Sequence, residues 1–187
     1  MQLNIYKISH PIIQLLSNVA IIKSNNKVMD SYYYKNLGML LMYEILRKYV
    51  SVQKIYIKSV YSTIQLNLIN QREQYFVITD LSTTYEIVSD IKTLLPNIDI
   101  INIGYKDILN DSNSINNIQL NNQNTKIFIL EKKLNSVATI NTVKYLISNN
   151  KIPINDINIA CIISEQNILR QLSYNYPTIK VYTTQIL

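Results

Sequence analysis

A chain of 187 residues, 48% apolar and 16% charged, has the length for one sizeable core and falls short of two ordinary ones, so a single domain over residues 1–187 is expected. With 2 Gly, 4 Pro, a lone cysteine (Cys161) and a lone histidine (His10), the composition excludes collagen-like and linker-rich chains, disulfide scaffolds and thiolate zinc sites, and leaves almost nothing for a His-based triad. The net charge of +6 sets 15 Lys and 3 Arg, scattered along the chain with one Lys-Lys pair, against 12 Asp and Glu, which favours a solvated surface over a phosphate-binding stripe.

Leu3 to Ile8 reads as a short extended segment, and His10-Pro11 then opens an apolar run through Ile22 that fits a helix with Pro in its first turn. Ser24-Asn25-Asn26 is a turn signal. Asp30-Ser31 are good N-caps for a second helix running to about Tyr49, with Leu37, Leu40, Leu41, Met42 and Ile45 on its inner face. Beyond it, short apolar runs alternate with helical stretches, the pattern of βαβ units and a mostly parallel sheet. Tyr75 to Ile78 is a strand, Thr83-x-x-Glu86 is a capping box for a helix that Pro96 ends, and Ile98 to Ile103 is the next strand. Gly104 to Asn124 is polar, Asn-rich and without period, which points to a mobile flap. Lys126 to Leu130, Ile157 to Ile163 and Ile179 to Thr183 read as strands; Ser136 to Ser148 and Glu165 to Tyr174 read as helices. Ligands in such sheets sit beyond the carboxyl ends of strands. The junctions of interest are therefore Asp80 to Thr84, Glu131 to Thr139 and Ile163 to Asn167.

Several stretches together resemble the uracil phosphoribosyltransferase family, which converts uracil and phosphoribosyl pyrophosphate into UMP and pyrophosphate. They are His10-Pro11-Ile12-Ile13-Gln14, Gly38-Met39-Leu40-Leu41-Met42-Tyr43-Glu44, Leu95-Pro96, Ile103-Gly104-Tyr105-Lys106-Asp107, Ile127 to Ser148, Cys161-Ile162-Ile163 and Pro177 to Thr183. The resemblance spans essentially the whole chain. It implies a type I phosphoribosyltransferase-like α/β fold: a mostly parallel central sheet flanked by helices, with N-terminal helices and a flap.

The chemistry departs from that family where the scaffold does not. Its diphosphate loop, Asp-Pro-Met-Leu-Ala-Thr-Gly-Gly-Ser, corresponds here to Glu131-Lys132-Lys133-Leu134-Asn135-Ser136-Val137-Ala138-Thr139. Paired glycines let backbone N–H groups converge on a phosphate, and Val137 and Ala138 put side chains where the anion would sit. A β-branched residue in a left-handed conformation would cost roughly 1–2 kcal/mol. What remains of the substrate site is a vestigial loop of Glu131, Asn135, Ser136 and Thr139. In a second loop, Ile-Leu-Arg-Ala-Gly in the family, the sequence is Asp80-Leu81-Ser82-Thr83-Thr84, and Ser82 cannot replace the bidentate grip of Arg on pyrophosphate. The sequence ends at Gln185-Ile186-Leu187, ahead of the family's Gly-rich uracil segment. The expectation is a uracil phosphoribosyltransferase homologue without catalytic residues or metal ligands and without a cofactor. The alternatives are a residual enzyme, which would use Mg²⁺, and a nucleotide- or RNA-binding regulator on the same fold.

Individual residues fit bland roles beside sharp ones. His10 caps the first helix rather than acting as a base, and Cys161 is a small core residue. Glu131 can orient a ribose or simply favour a helix N-terminus. Lys132-Lys133 can bind phosphate or sit in solvent, and Tyr32-Tyr33-Tyr34 can stack on bases or pack. The resemblance implies a homodimer through the N-terminal helices, with Tyr32, Tyr33 and Met42 as candidate contacts, and an additional protein partner is expected of a chain without chemistry; nucleic acid is the weaker alternative. No apolar run approaches the roughly 18–20 residues of a membrane span, so no membrane partner is expected. Ile and Asn make up nearly a third of the chain, an A/T-rich codon bias that points to the plastid stroma of an organelle-encoded protein or, alternatively, to the cytoplasm of a reduced A/T-rich bacterium.

Overall fold

The computed structural model describes residues 3–21, 27–104 and 124–187. In chain order the elements are β1 (Asn4–Lys7), α1 (Pro11–Ile21), α2 (Lys27–Leu46), β2 (Val52–Lys58), β3 (Thr63–Ile69), β4 (Gln74–Thr79), α3 (Leu81–Val88), α4 (Ile91–Leu94), β5 (Ile98–Asn102), β6 (Thr125–Leu134), α5 (Val137–Ser148), a 3-10 turn (Ile154–Asp156), β7 (Ile157–Ser164), α6 (Gln166–Asn175) and β8 (Lys180–Ile186). Six strands form one parallel sheet in the order β1-β8-β7-β6-β4-β5, and β2 and β3 form a separate antiparallel pair. This is the α/β architecture expected.

Burial on both faces explains why the central strands are continuous apolar runs. Successive side chains alternate between two cores. Phe76, Ile127, Ile129, Ile159, Cys161 and Val181 point to the side covered by α5 and α6, where Val143, Leu146, Leu169 and Leu172 meet them. Tyr75, Val77, Phe128, Leu130, Ala160 and Tyr182 point to the side covered by α1–α4, against Ile13, Leu37, Leu41, Ile45, Ile87 and Ile91.

Four expectations change. Helix α2 starts at Lys27, so Asp30 lies in its first turn, beside the positive end of the helix dipole, and does not cap it. Met42 is fully buried in the second core and is not available as a dimer contact. The cap of α3 is Asp80, which accepts from the Ser82 N–H at 2.9 Å; Thr83 lies inside the helix, its hydroxyl turned back to the Asp80 carbonyl at 3.1 Å. α3 ends at Val88, and Ile91–Leu94 forms a separate turn before Pro96. The β2–β3 hairpin is an addition, with every residue from Val52 to Leu68 in its strands exposed. The turn at residues 24–26 and nearly all of the flap fall outside the described residues.

Candidate functional site

The carboxyl ends of β4, β6 and β7 are where a ligand site is expected, and each is occupied by the chain's own groups. At β4, Thr79 Oγ1 donates to the Leu130 carbonyl at 2.6 Å and lies 2.6 Å from Thr84 Oγ1, whose hydroxyl also reaches the Asp80 carbonyl at 2.7 Å. The Asp80 carboxylate takes both the N–H and the hydroxyl of Ser82 (2.9 and 2.6 Å). The Leu81 N–H is bound by Asn102 Oδ1 at 2.9 Å. Ser82, at the position of the family's Arg, thus serves a local Asx-type cap.

At β6 the difference from expectation is larger. The strand does not end at Leu130 but continues to Leu134, pairing Glu131 with Cys161, Lys133 with Ile163 and Leu134 with Ser164. Four of the residues expected in a loop, Glu131 to Leu134, are strand residues, and the first three have side-chain partners on other elements. Glu131 is buried and accepts from the Thr139 hydroxyl, itself fully buried on α5. Lys132 Nζ lies 3.4 Å from Glu86 Oε2 and 3.4 Å from the centroid of the Tyr34 ring. Lys133 pairs with Glu165 at 2.7 Å. Only Asn135 and Ser136 connect strand and helix, with Ser136 at the N-cap in an extended conformation and making no side-chain cap bond. Val137 and Ala138 are the first two residues of α5; Val137 projects into solvent and Ala138 packs on the core. The left-handed strain anticipated at Val137 does not arise: among the described residues, the one non-glycine with positive φ is Lys151. Of the four vestigial-loop residues, then, Glu131 and Thr139 meet each other in the core, and Asn135 and Ser136 remain at the junction.

At β7, Glu165 is the N-cap residue of α6, its N–H held by the Leu134 carbonyl at 3.0 Å. The next N–H, of Gln166, is taken by the Leu187 carbonyl at 3.0 Å. Cys161 is fully buried, and burial, aided by the nearby Glu131 carboxylate and opposed by a bond with Thr183, pushes its thiol up to about 12; it is not a nucleophile at neutral pH. His10 immediately precedes α1, its carbonyl accepting the Gln14 N–H at 3.0 Å.

Sequence reasoning missed a second polar assembly, on the β1 side of the sheet. Tyr49 donates to Asn158 Oδ1 at 2.6 Å and meets the Tyr182 hydroxyl at 2.7 Å, while Tyr6 stacks on Tyr182 with ring centroids 5.0 Å apart. Asn158 and Tyr182 lie 109 and 133 positions from Tyr49, so no local signal marks them. Burial, and then the Tyr182 contact, raise the Tyr49 hydroxyl well above the ordinary tyrosine range; burial, and then the Glu73 contact, do the same for Tyr75. A folded-state value above the unfolded one leaves stability intact below about pH 10 and withdraws it as pH rises further. A spectrophotometric titration at the tyrosinate band is therefore expected to leave Tyr49 and Tyr75 un-ionised through pH 10 until the fold opens. Full tyrosine ionisation with a midpoint near 10 in the folded protein would contradict it.

Residues 8–186 match the uracil phosphoribosyltransferase family. The chain is 27% identical over 187 residues to a uracil phosphoribosyltransferase homolog of the red alga Porphyra purpurea, and 26% identical over 186 residues to one of Pyropia yezoensis, in each case covering 100% of this chain and 89% of the relative. Among solved structures, the AQ2163 protein of Aquifex aeolicus superposes with a TM-score of 0.72 over 97% of this chain and 86% of that one, at 16% identity, a likeness of fold. No helix among the described residues is long and apolar enough to cross a membrane.

Proposed function

The chain belongs to the uracil phosphoribosyltransferase family, and we propose that it is a non-catalytic member that acts through contacts with other proteins. The observation that carries this reading is the continuation of β6 to Leu134, which makes ladder of the segment that would have to be a phosphate-binding loop. Its acidic residue is turned inward to Thr139. Asp80 and Ser82 satisfy each other where a cation for pyrophosphate is needed, and a carboxylate there repels the substrate. The family's reaction uses Mg²⁺ on the pyrophosphate. Such a Mg²⁺ is held chiefly by the substrate's own phosphates, and the end of β6 offers those phosphates no cradle. We read the protein as working without a cofactor.

Purified protein given uracil, phosphoribosyl pyrophosphate and Mg²⁺ is expected to form no UMP above the protein-free control. Turnover proportional to protein concentration, and lost in Asp80→Ala or Glu131→Ala, would overturn the reading.

Two further parts belong to it. The chain pairs as a homodimer through its N-terminal helices, with the exposed Tyr32 as a contact and the half-buried Tyr33 beside it, ring centroids 6.5 Å apart. Light scattering at micromolar concentration is expected to give twice the mass of the chain, and a monomer mass would refute it. Red-algal relatives and the A/T-rich composition support a plastid location.

A further inference from the structure

Strand β1 lies at one end of the six-stranded sheet and pairs with β8 alone. In a parallel ladder, alternate residues turn both N–H and C=O to the same neighbour. The Ile8 N–H donates to the Thr183 carbonyl at 2.9 Å, which with the register Lys7 to Thr183 assigns Asn4, Tyr6 and Ile8 to β8. Ile5 and Lys7 therefore turn their backbone groups outward, where no described strand meets them. The edge is flanked by a cleft on each face. That on the Tyr6 face has a volume of about 660 Å³ and is lined by Glu44, Arg47, Lys48 and Tyr182 together with the segment from Ile5 to Pro11. On the Ile5 face a cleft of about 480 Å³ is lined by Leu3, Leu169, Arg170 and Ile186.

The charges around the first cleft are unbalanced. On the Tyr6 face Arg47 and Lys48 face a single acid, Glu44, which is paired with Arg47 at 3.1 Å. Lys48 lies over the rings of Tyr6 and Tyr182, 4.4 and 5.0 Å from their centroids, and among the described residues no carboxylate is within ion-pair distance of it or of Lys7.

We propose that this edge docks an extended acidic segment of a partner protein, which adds to β1 as a seventh strand. Backbone bonds to Ile5 and Lys7 supply the pairing, and the pleat sends alternate side chains of the guest to opposite faces. Those on the Tyr6 face meet Arg47 and Lys48 and are acidic. Those on the Ile5 face meet Leu3, Leu169 and Ile186 and are apolar. Nucleic acid fits less well, because the ring on which a base would stack is already covered by Tyr182 and Lys48. The proposal supplies the contact that the non-catalytic reading requires and rests on that reading only for its purpose, so a peptide titration and a UMP assay fail independently.

The probe is an acetylated, amidated peptide of alternating Glu and Val, seven residues long, titrated into the full chain. Saturable binding is expected, weakened at least tenfold by N-methylation of alternate amides in one of the two possible parities and little affected in the other. Arg47→Glu with Lys48→Glu is expected to weaken it at least tenfold. Lys7→Pro, which deletes an outward N–H and spares the ladder to β8, should weaken it far more than Lys7→Gln does. Should Lys7→Pro unfold, as seen by circular dichroism, the two methylated peptides decide the matter alone. Absence of binding, equal binding of all methylated peptides, or tighter binding of polyuridylate or of a Lys-Val peptide each overturns the proposal.

Discussion

Gly38→Ala is expected to destabilise the protein by about 2–3 kcal/mol, a large effect for one added methyl. Alanine in a helix interior ordinarily gains roughly 0.5–1 kcal/mol over glycine. Here the new Cβ would lie 2.4 Å from Ile87 Cγ2, 2.5 Å from the Ile87 carbonyl oxygen and 2.8 Å from its Cα. Two of these are backbone atoms that no rotamer change removes, so α2 and α3 must part, and overpacking of this kind costs about 1–3 kcal/mol or more. For a chain of this size the melting temperature should fall by roughly 5–10 °C. The test has an internal control. Trimming Ile87 to alanine relieves the Cγ2 contact and leaves the two backbone contacts, so Gly38→Ala in the Ile87→Ala background should still cost most of what it costs in the parent chain. Full rescue by the second change would mean that the side chain, and not the backbone, sets the helix separation.

That glycine sits in the stretch that resembled the family most closely, and the reason is physical: a close helix crossing can be met only by a residue without Cβ. The central strands were legible for a similar reason. Val77, Ile129 and Ile159 belong to runs buried on both faces, and such runs leave a local trace in the sequence. The end of β6 left none. Glu131-Lys132-Lys133 reads as a charged loop because each of its partners is supplied by another element: Thr139 on α5, Glu86 on α3 and Glu165 before α6. The hairpin left a partial trace, since Ile64, Leu66 and Leu68 alternate with Gln65 and Asn67 in β3, but Gln53-Lys54 breaks that alternation in β2 and both strands are exposed along nearly all their length. The cap at Asp80 lost to Thr83 in the sequence because the capping-box spacing of Thr83 and Glu86 is as good on paper; geometry alone gives the cap to the residue leaving β4.

The continuation of β6 also reverses the expected outcome of repair. On sequence alone, Val137→Gly and Ala138→Gly with Glu131→Asp and Ser82→Arg rebuild an anion site from helix N-terminal N–H groups and a bidentate cation. In the fold, each change meets something already in use. Shortening Glu131 draws its carboxylate away from the fully buried Thr139 hydroxyl, and a buried polar group left without its partner costs about 1–3 kcal/mol. Glycine at the first two positions of α5 weakens its first turn by up to about 1 kcal/mol each. An arginine at Ser82 has the Asp80 carboxylate within reach and is neutralised by it instead of by a substrate. A loop long enough to cradle diphosphate requires the pairs of Lys133 with Ile163 and Leu134 with Ser164 to open, and Leu134 is fully buried. The quadruple variant is therefore expected to be less stable by about 3–5 kcal/mol, to bind no phosphoribosyl pyrophosphate in the presence of Mg²⁺, and to make no UMP. Thermal unfolding and titration calorimetry read the two halves separately. A heat of binding from a variant that keeps its melting temperature would mean that the end of β6 is a switchable segment, in which case the loss of the site in this protein rests on four side chains and not on the strand.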